Sequence, residues 1–168
     1  MSGNPEEAVT QLAGVIREHG KTAEATPGPA FGNVLYHFGV ALEETGDVRG
    51  AKQAYRQSYL RFGNRDETPD SRHAYHGQAL VKWAEMERRT GSPEHAAKLL
   101  IRALKSGEEA VDVMQAEQYA QALEVAAAYR EKARAGDAER EALDFVAASA
   151  LFQLERFRES FEAFSAFV

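Results

Sequence analysis

Residues 32–58, GNVLYHFGVALEETGDVRGAKQAYRQS, decide the fold, because their pattern returns in residues 77–103, GQALVKWAEMERRTGSPEHAAKLLIRA. The second stretch begins 45 residues after the first. In both, a small residue stands mid-way along the first predicted helix, a Thr-Gly pair ends that helix, and another small residue follows five positions after the glycine. Small residues at matched points of neighbouring helices let the backbones approach closely. The repetition therefore predicts a stack of helix pairs.

This pattern resembles the tetratricopeptide repeat (TPR), a unit of about 34 residues that folds as two antiparallel helices. Counted from Gly32, the family's pattern positions fall on Leu35, Phe38, Gly39, Leu42, Gly46, Ala51, Tyr55 and Ser58. Counted from Gly77, they fall on Leu80, Trp83, Ala84, Gly91, Ala96, Leu100 and Ala103. Glu87 departs from the pattern, since it stands where the first copy has Leu42. The resemblance implies an all-α fold, a right-handed superhelical stack of antiparallel helix pairs that forms one domain over 1–168.

Helical periodicity and end signals predict about eight helices and no sheet. The predicted bounds are 5–19, 31–45, 48–62, 72–90, 93–106, 110–134, 137–153 and 156–168. We expect helices to end at glycines in the left-handed conformation, at Gly20, Gly46, Gly63, Gly91, Gly107 and Gly136. Residues 20–29, which include two prolines, are predicted to form a linker. The clearest repeats are 32–65 and 77–110, with irregular repeats or caps at 4–20 and 110–168.

The sequence leaves the helix pairing after Gly136 open. The positions that fit a complete repeat there are Ala148, Leu151, Phe157, Ser160, Phe164 and Phe167. In that assignment 137–153 is the first helix of a pair. Strict alternation from residue 31 instead makes it a second helix, partnered with 110–134. Because these two assignments of the helix 137–153 exclude each other in one regular superhelix, we expect an irregular joint near Gly136.

Composition excludes several classes of protein. The chain of 168 residues is 44% hydrophobic and 27% charged, an ordinary balance for a soluble globular protein. It contains no cysteine, which excludes a disulfide framework, a thiolate nucleophile and a thiolate metal site. No apolar run approaches the roughly 20 residues of a transmembrane helix, and the N-terminus carries no secretory signal. We therefore predict a cytoplasmic protein without membrane association, and a periplasmic domain without cysteines is the alternative.

A formal net charge of −6 opposes binding to nucleic acid, because phosphate backbones require clustered Lys and Arg. Two basic stripes are nevertheless predicted on the second helices of the repeats. The first consists of Arg49, Lys52 and Arg56, and the second of Lys98, Arg102 and Lys105. Isolated basic stripes of this kind are common on repeat helices, so a solvated convex face is the favoured interpretation and a docking surface is the alternative.

Few residue patterns in the sequence indicate catalysis. His73 and His76 stand three apart, with Asp66, Glu67 and Asp70 upstream, and such a cluster could hold a metal ion. A pair of this kind often arises by chance beside a polar loop, and the spacing identifies no third ligand. The sequence has no nucleophile elbow, phosphate-binding glycine loop or His-Glu-x-x-His motif. We predict a non-enzymatic protein without cofactor or metal, and a metal-assisted or hydrolytic site near His73 and His76 is the alternative.

The resemblance to the TPR family also implies a partner-binding surface, because in that family the first helices line a concave groove. The corresponding positions in this chain are Asn33, Tyr36, His37, Val40, Glu44, Gln78, Lys82, Glu85 and Arg89. They mix an aromatic residue, amides and both signs of charge. We expect this groove to bind a peptide or helix of a protein partner. The alternative is a sensor or assembly domain of a larger regulatory protein that responds to a small ligand or peptide.

Phenylalanines on the last predicted helix indicate self-association. Phe157, Phe161, Phe164 and Val168 recur at i, i+4, i+7 and i+11, with Phe167 to one side. One neighbouring helix cannot cover so much apolar area, and no polar cap follows, so a downstream helix or a second copy is expected to cover it. A symmetric homodimer is the favoured interpretation, because an isologous contact buries a self-complementary patch. The alternative is that the phenylalanines all fold back into the monomer core.

Overall fold

The structure is a computed structural model that describes residues 4–25, 29–62, 75–106, 116–132 and 138–165. In these ranges every regular element is an α-helix, and the prediction of an all-α fold is confirmed for them. The helices are α1 (Pro5–Ala25), α2 (Pro29–Glu44), α3 (Val48–Phe62), α4 (His76–Arg89), α5 (Pro93–Ser106), α6 (Ala116–Lys132), α7 (Ala138–Gln153) and α8 (Phe157–Ser165). Each helix from α1 to α7 packs against the next one, and α5 also contacts α7.

Three helix pairs, α2–α3, α4–α5 and α7–α8, are joined by the same turn. Each turn centres on one residue with left-handed backbone: Gly46 (φ +84°), Gly91 (φ +87°) or Glu155 (φ +58°). The N–H of that residue donates to the carbonyl three residues earlier, and the next N–H donates to the carbonyl five residues before itself. These bonds satisfy carbonyls that the end of a helix would otherwise leave unpaired. The predicted helix ends at Gly46 and Gly91 are therefore confirmed.

The α7–α8 turn and the contacts beside it make α7 the first helix of a third pair. The Ser160 hydroxyl in α8 donates to the Ala148 carbonyl in α7 at 2.9 Å, and both residues are buried. They occupy the positions that Ala51 and Gly39 occupy in the first pair. Helix α6 follows the second pair along the chain and packs against both α5 and α7. Residues 133–137, where we expect the irregular joint, lie outside the described ranges.

Helix α1 runs through the stop predicted at Gly20. It continues to Ala25, so the linker predicted over 20–29 is wrong for residues 20–25, and α2 already begins at Pro29. A glycine inside a helix costs only about 1 kcal/mol relative to alanine. Gly20 is also half-buried beside the ring of Phe31, where a Cβ would lie 3.9 Å from the ring. The other predicted stops, Gly63, Gly107 and Gly136, lie outside the described residues, as do 72–74 and 110–115.

The core is built where a small residue of a first helix meets a large residue of the second. A Cβ on Gly39 would lie 2.7 Å from a ring carbon of Tyr55, which is closer than carbon atoms can approach. The Tyr55 ring is fully buried, and its hydroxyl donates to Glu43 at 2.9 Å, so the ring is held in place. The equivalent residues of the second pair are Ala84 and Leu100, both buried. Across these two pairs, the larger residue on the second helix, Tyr55, accompanies the smaller residue on the first, Gly39.

Replacing Gly39 by alanine tests this contact. Alanine improves helix propensity by about 1 kcal/mol, but overpacking against the fixed Tyr55 ring costs about 1–3 kcal/mol. We expect a net loss in the free energy of unfolding, measured by urea denaturation. Gly14→Ala in α1 is the matched control, because no atom lies within 4 Å of the added methyl group. It should leave stability unchanged or raise it by up to about 1 kcal/mol. Equal effects of the two substitutions would contradict the close contact.

Candidate functional site

One carboxylate, that of Glu43, joins the side chains of α2, α3 and α4. Its Oε2 accepts a hydrogen bond from the Tyr55 hydroxyl at 2.9 Å and lies 3.3 Å from Lys82 Nζ. Its Oε1 accepts a hydrogen bond from Arg89 Nη1 at 3.1 Å. Only 18% of the Glu43 side chain is exposed. The carboxylate therefore holds two cations of α4, Lys82 and Arg89, at the edge of α2 through charge-assisted interactions.

Three aromatic side chains form a platform beside this carboxylate. The Tyr36 ring in α2 stacks on Tyr75, which directly precedes α4, with centroids 4.6 Å apart and planes within 2°. His37 meets the same Tyr75 ring edge-on at 4.7 Å. Tyr36 also packs against Tyr55 at 5.6 Å, so the platform rests on the core. His37 is exposed, while Tyr36 and Tyr75 are half-buried.

The predicted groove residues divide into two groups. Tyr36, His37, Lys82, Glu85 and Arg89 lie in this aromatic and ionic assembly, and Lys82 also pairs with Glu85 at 3.5 Å. We name the assembly, together with Glu43 and Tyr75, the α2–α4 face. The other predicted residues do not belong to this face. Asn33 and Gln78 are half-buried, Val40 packs against the core, and Glu44 is exposed.

Glu43 and Tyr75 are the two members of the face that the sequence reasoning missed. Glu43 follows Tyr36 and Val40 at the i, i+4 and i+7 spacing of one helical face, and this spacing could have identified it. Glu44, the residue predicted instead, makes no hydrogen bond or ion pair among the described residues. Tyr75 precedes the helix rather than lying in it, so helical spacing gives no signal for its position.

Burial and charge set the protonation of this face. Burial raises the pKa of Tyr55, and the neighbouring Glu43 carboxylate raises it further, so the hydroxyl remains a donor. Burial acts to lower the pKa of Lys82, but Glu85 and Glu43 outweigh it and the pKa is raised. Lys82 is therefore a charged ammonium at neutral pH.

A second assembly surrounds a cavity of about 610 Å³ between α3, α4 and α5. Its lining residues are Arg49, Lys52, Gln53 and Arg56 from α3, Trp83 and Glu87 from α4, and His95 from α5. The first basic stripe of the sequence thus lines a concave site. Lys98 and Arg102 of the second stripe are exposed and do not line the cavity, and the side chain of Lys105 lies outside the described residues.

Glu87 is the buried centre of this second assembly. Its Oε1 accepts a hydrogen bond from Trp83 Nε1 at 3.0 Å and lies 3.3 Å from His95 Nδ1. Its Oε2 accepts a hydrogen bond from Lys52 Nζ at 3.3 Å, and the same ammonium donates to Thr90. Burial acts to raise the pKa of Glu87, but the Trp83 hydrogen bond and the Lys52 charge outweigh it and the pKa is lowered. This network explains how a carboxylate occupies a position where the first copy has leucine.

The phenylalanines of α7 and α8 form an exposed apolar surface. The exposed fractions are 56% for Phe157, 73% for Phe161 and 37% for Phe164. Phe164 meets Phe145 of α7 edge-on at 6.1 Å. The alternative that all of these rings fold into the monomer core is therefore wrong for the described residues, and Phe167 and Val168 lie outside them.

The described ranges also bear on metal and membrane sites. Within them, no three His, Cys, Asp or Glu side chains are arranged to hold a metal ion. Of the candidate ligands only His76 is described, since Asp66, Glu67, Asp70 and His73 lie outside these ranges. None of the described helices combines the length and the apolar character that crossing a bilayer requires.

Comparison of the chain with models of protein families, with curated proteins and with solved structures finds no match. The resemblance to the TPR family therefore stays a prediction from the repeated pattern.

Acid titration of stability tests the network around Glu87. Because the pKa of Glu87 is lowered in the folded protein, its ionised form stabilises the fold above the ordinary value of 4.5. That contribution disappears as the pH falls through this value and below. We expect the free energy of unfolding of Glu87→Gln to fall less steeply than that of the parent between about pH 5 and pH 3. Glu44→Gln, which changes an exposed carboxylate, should retain the parent's slope, and a parental slope in Glu87→Gln would refute the network.

Proposed function

We propose that this chain is a non-enzymatic, TPR-like interaction module that binds a peptide or helical segment of a partner protein along the α2–α4 face. The repeated pattern in the sequence and the three helix pairs with identical turns support the TPR-like stack. In such a stack, side chains recur at fixed intervals, so several modest contacts can act together on one extended ligand.

The observation that carries this proposal is that the α2–α4 face is held in place before any partner binds. Glu43 fixes Lys82 and Arg89, and Tyr36 fixes Tyr75 by stacking at 4.6 Å. A surface whose side chains are already ordered loses little conformational entropy on binding, which improves affinity. Aromatic and arginine side chains are also the residues that most often dominate binding energy at protein interfaces.

The chemistry of the face indicates how it would select a segment. Its two cations, Lys82 and Arg89, are matched by two carboxylates, Glu43 and Glu85. Net charge therefore contributes little to partner choice. Planar or apolar side chains of the partner would pack on the Tyr75 and His37 rings. The outer N–H groups of Arg89 and Lys82 would bind its carbonyl or carboxylate oxygens.

Site-specific photocrosslinking tests the choice of face. We place a benzophenone amino acid at position 37, an exposed position of α2, and at position 57, an exposed position of α3, and we add each protein to extract of the source cell. We expect a protein adduct from position 37 that is absent from position 57. The double variant His37→Ala with Arg89→Gln should no longer capture the partner protein that the adduct identifies. This variant removes one aromatic ring and one guanidinium group from the α2–α4 face.

The matched control changes Gln57 and Arg102, which are exposed on α3 and α5, to alanine and glutamine. This control should capture the partner as well as the parent does, with the same helical content by circular dichroism. An adduct from position 57 alone, or equal loss of capture in the control, would refute binding by the α2–α4 face.

The exposed phenylalanines support a second proposal, self-association through α7 and α8. Of the large apolar side chains that the described residues expose, all but Val15 belong to these two helices: Phe145, Phe152, Phe157, Phe161 and Phe164. Contiguous apolar patches of this kind mark interaction sites. A two-fold symmetric contact would cover the patch of each copy with that of the other.

Sedimentation equilibrium tests this proposal. The parent should form a dimer at micromolar concentration, and Phe161→Glu should weaken the dimer at least about tenfold, because it buries a charge in an apolar contact. Val15→Glu is the matched control, since Val15 is an exposed apolar residue of α1, and it should leave the dimer unchanged. A parent that stays monomeric at all concentrations up to about 100 μM would exclude this interface.

A further inference from the structure

Among the described residues, the cavity between α3, α4 and α5 carries positive charge in excess of the carboxylates that pair with it. Lys52 is paired with Glu87, the one carboxylate among the lining residues. Arg49 and Arg56 have no ion-pair partner among the described residues. The surplus is thus the charge of two guanidinium groups, in a protein whose overall charge is −6.

One of these two guanidinium groups, that of Arg56, lies against an aromatic wall of the cavity. The Arg56 guanidinium lies 5.9 Å from the centroid of the Trp83 ring, and His95 packs edge-on against the same ring at 5.6 Å. Stacking uses the face of a guanidinium and leaves its N–H donors at the edge available for an acceptor. Trp83 is itself fixed, because its Nε1 donates to Glu87 at 3.0 Å.

Glu87 does not oppose an anion as a free carboxylate would. Both of its oxygens are directed at donors of the protein, Oε1 at Trp83 and Oε2 at Lys52. Lys52 offsets its charge at 3.3 Å. Arg49, Arg56 and Gln53 line the same cavity and are exposed, so their donors are accessible to an anion beside this neutralised pair.

We propose that this cavity binds a small organic oxyanion, a molecule that carries a carboxylate or a phosphate group, through Arg49 and Arg56. Guanidinium groups bind both oxyanions through paired N–H donors. A volume of about 610 Å³ lies in the range of sites for small molecules. The acidic net charge disfavours a nucleic acid as the ligand, because a polyanion would meet repulsion outside the cavity. The site shares no lining residue with the α2–α4 face and does not depend on peptide binding there.

Isothermal titration with inorganic phosphate and with citrate, each at constant ionic strength, tests the proposal on the full chain. We expect at least one probe to saturate a single site with a Kd of about 5 mM or below. The probe that binds more tightly identifies the oxyanion class, phosphate or carboxylate. Arg49→Gln and Arg56→Gln should each weaken binding about fivefold or more, because each removes a charge-assisted donor pair.

Arg102→Gln is the matched control, since its guanidinium also lies over an aromatic ring, that of Tyr59 at 5.6 Å, but does not line the cavity. It should bind both probes as the parent does. Arg49 and Arg56 are exposed, and unchanged circular dichroism of their variants would show that binding, not folding, is affected. Failure of both probes to saturate, or equal weakening by Arg102→Gln, would overturn the proposal.

Discussion

The contact between Gly39 and the Tyr55 ring is the constraint on which the first half of this molecule depends. It lets α2 and α3 approach closely, and it fixes the ring whose hydroxyl holds Glu43. Glu43 in turn holds Lys82 and Arg89 of α4. The steric contact in the core thus sets the position of Glu43, and Glu43 sets the positions of the two charged groups on the surface.

Helix α4 carries residues of both candidate sites on different faces. Lys82, Glu85 and Arg89 belong to the α2–α4 face, whereas Trp83 and Glu87 line the cavity beside α3 and α5. The sensor alternative predicts that the two sites are coupled through α4. A ligand that shifted α4 from the cavity side would also move Lys82 and Arg89 relative to Glu43, and coupling of this kind is reciprocal between two sites.

Local features were the part of the fold that the sequence could predict. Gly46 and Gly91 are followed by a new helix, and each takes the left-handed conformation that glycine favours. Glu155 makes the same turn without a glycine, at the helix break that the sequence predicted between residues 153 and 156. Gly20 lies inside a helix, so the stop predicted there from its residue type is wrong. Neighbouring helices, rather than local preference, decide such cases.

Contacts between helices were harder to predict than the helices themselves. The pattern placed Tyr36, Lys82 and Arg89 on one surface, but the carboxylate that joins the two cations is Glu43 rather than Glu44. The pairing of Lys52 with Glu87 joins residues 35 positions apart. This pairing depends on the angle at which α3 and α4 cross, and that angle cannot be read from a single sequence.

A double-mutant cycle of Gly39→Ala and Tyr55→Leu tests most directly whether the helix pairs share one packing rule. The double variant reproduces in the first pair the residues that the second pair has, Ala84 and Leu100. If the rule holds, leucine leaves room for the added methyl group. The cost of Gly39→Ala in the free energy of unfolding should then be smaller by at least about 1 kcal/mol in the Tyr55→Leu background than in the parent. Costs that add within about 0.5 kcal/mol would show that the two residues do not contact each other, and would contradict the packing on which the α2–α4 face rests.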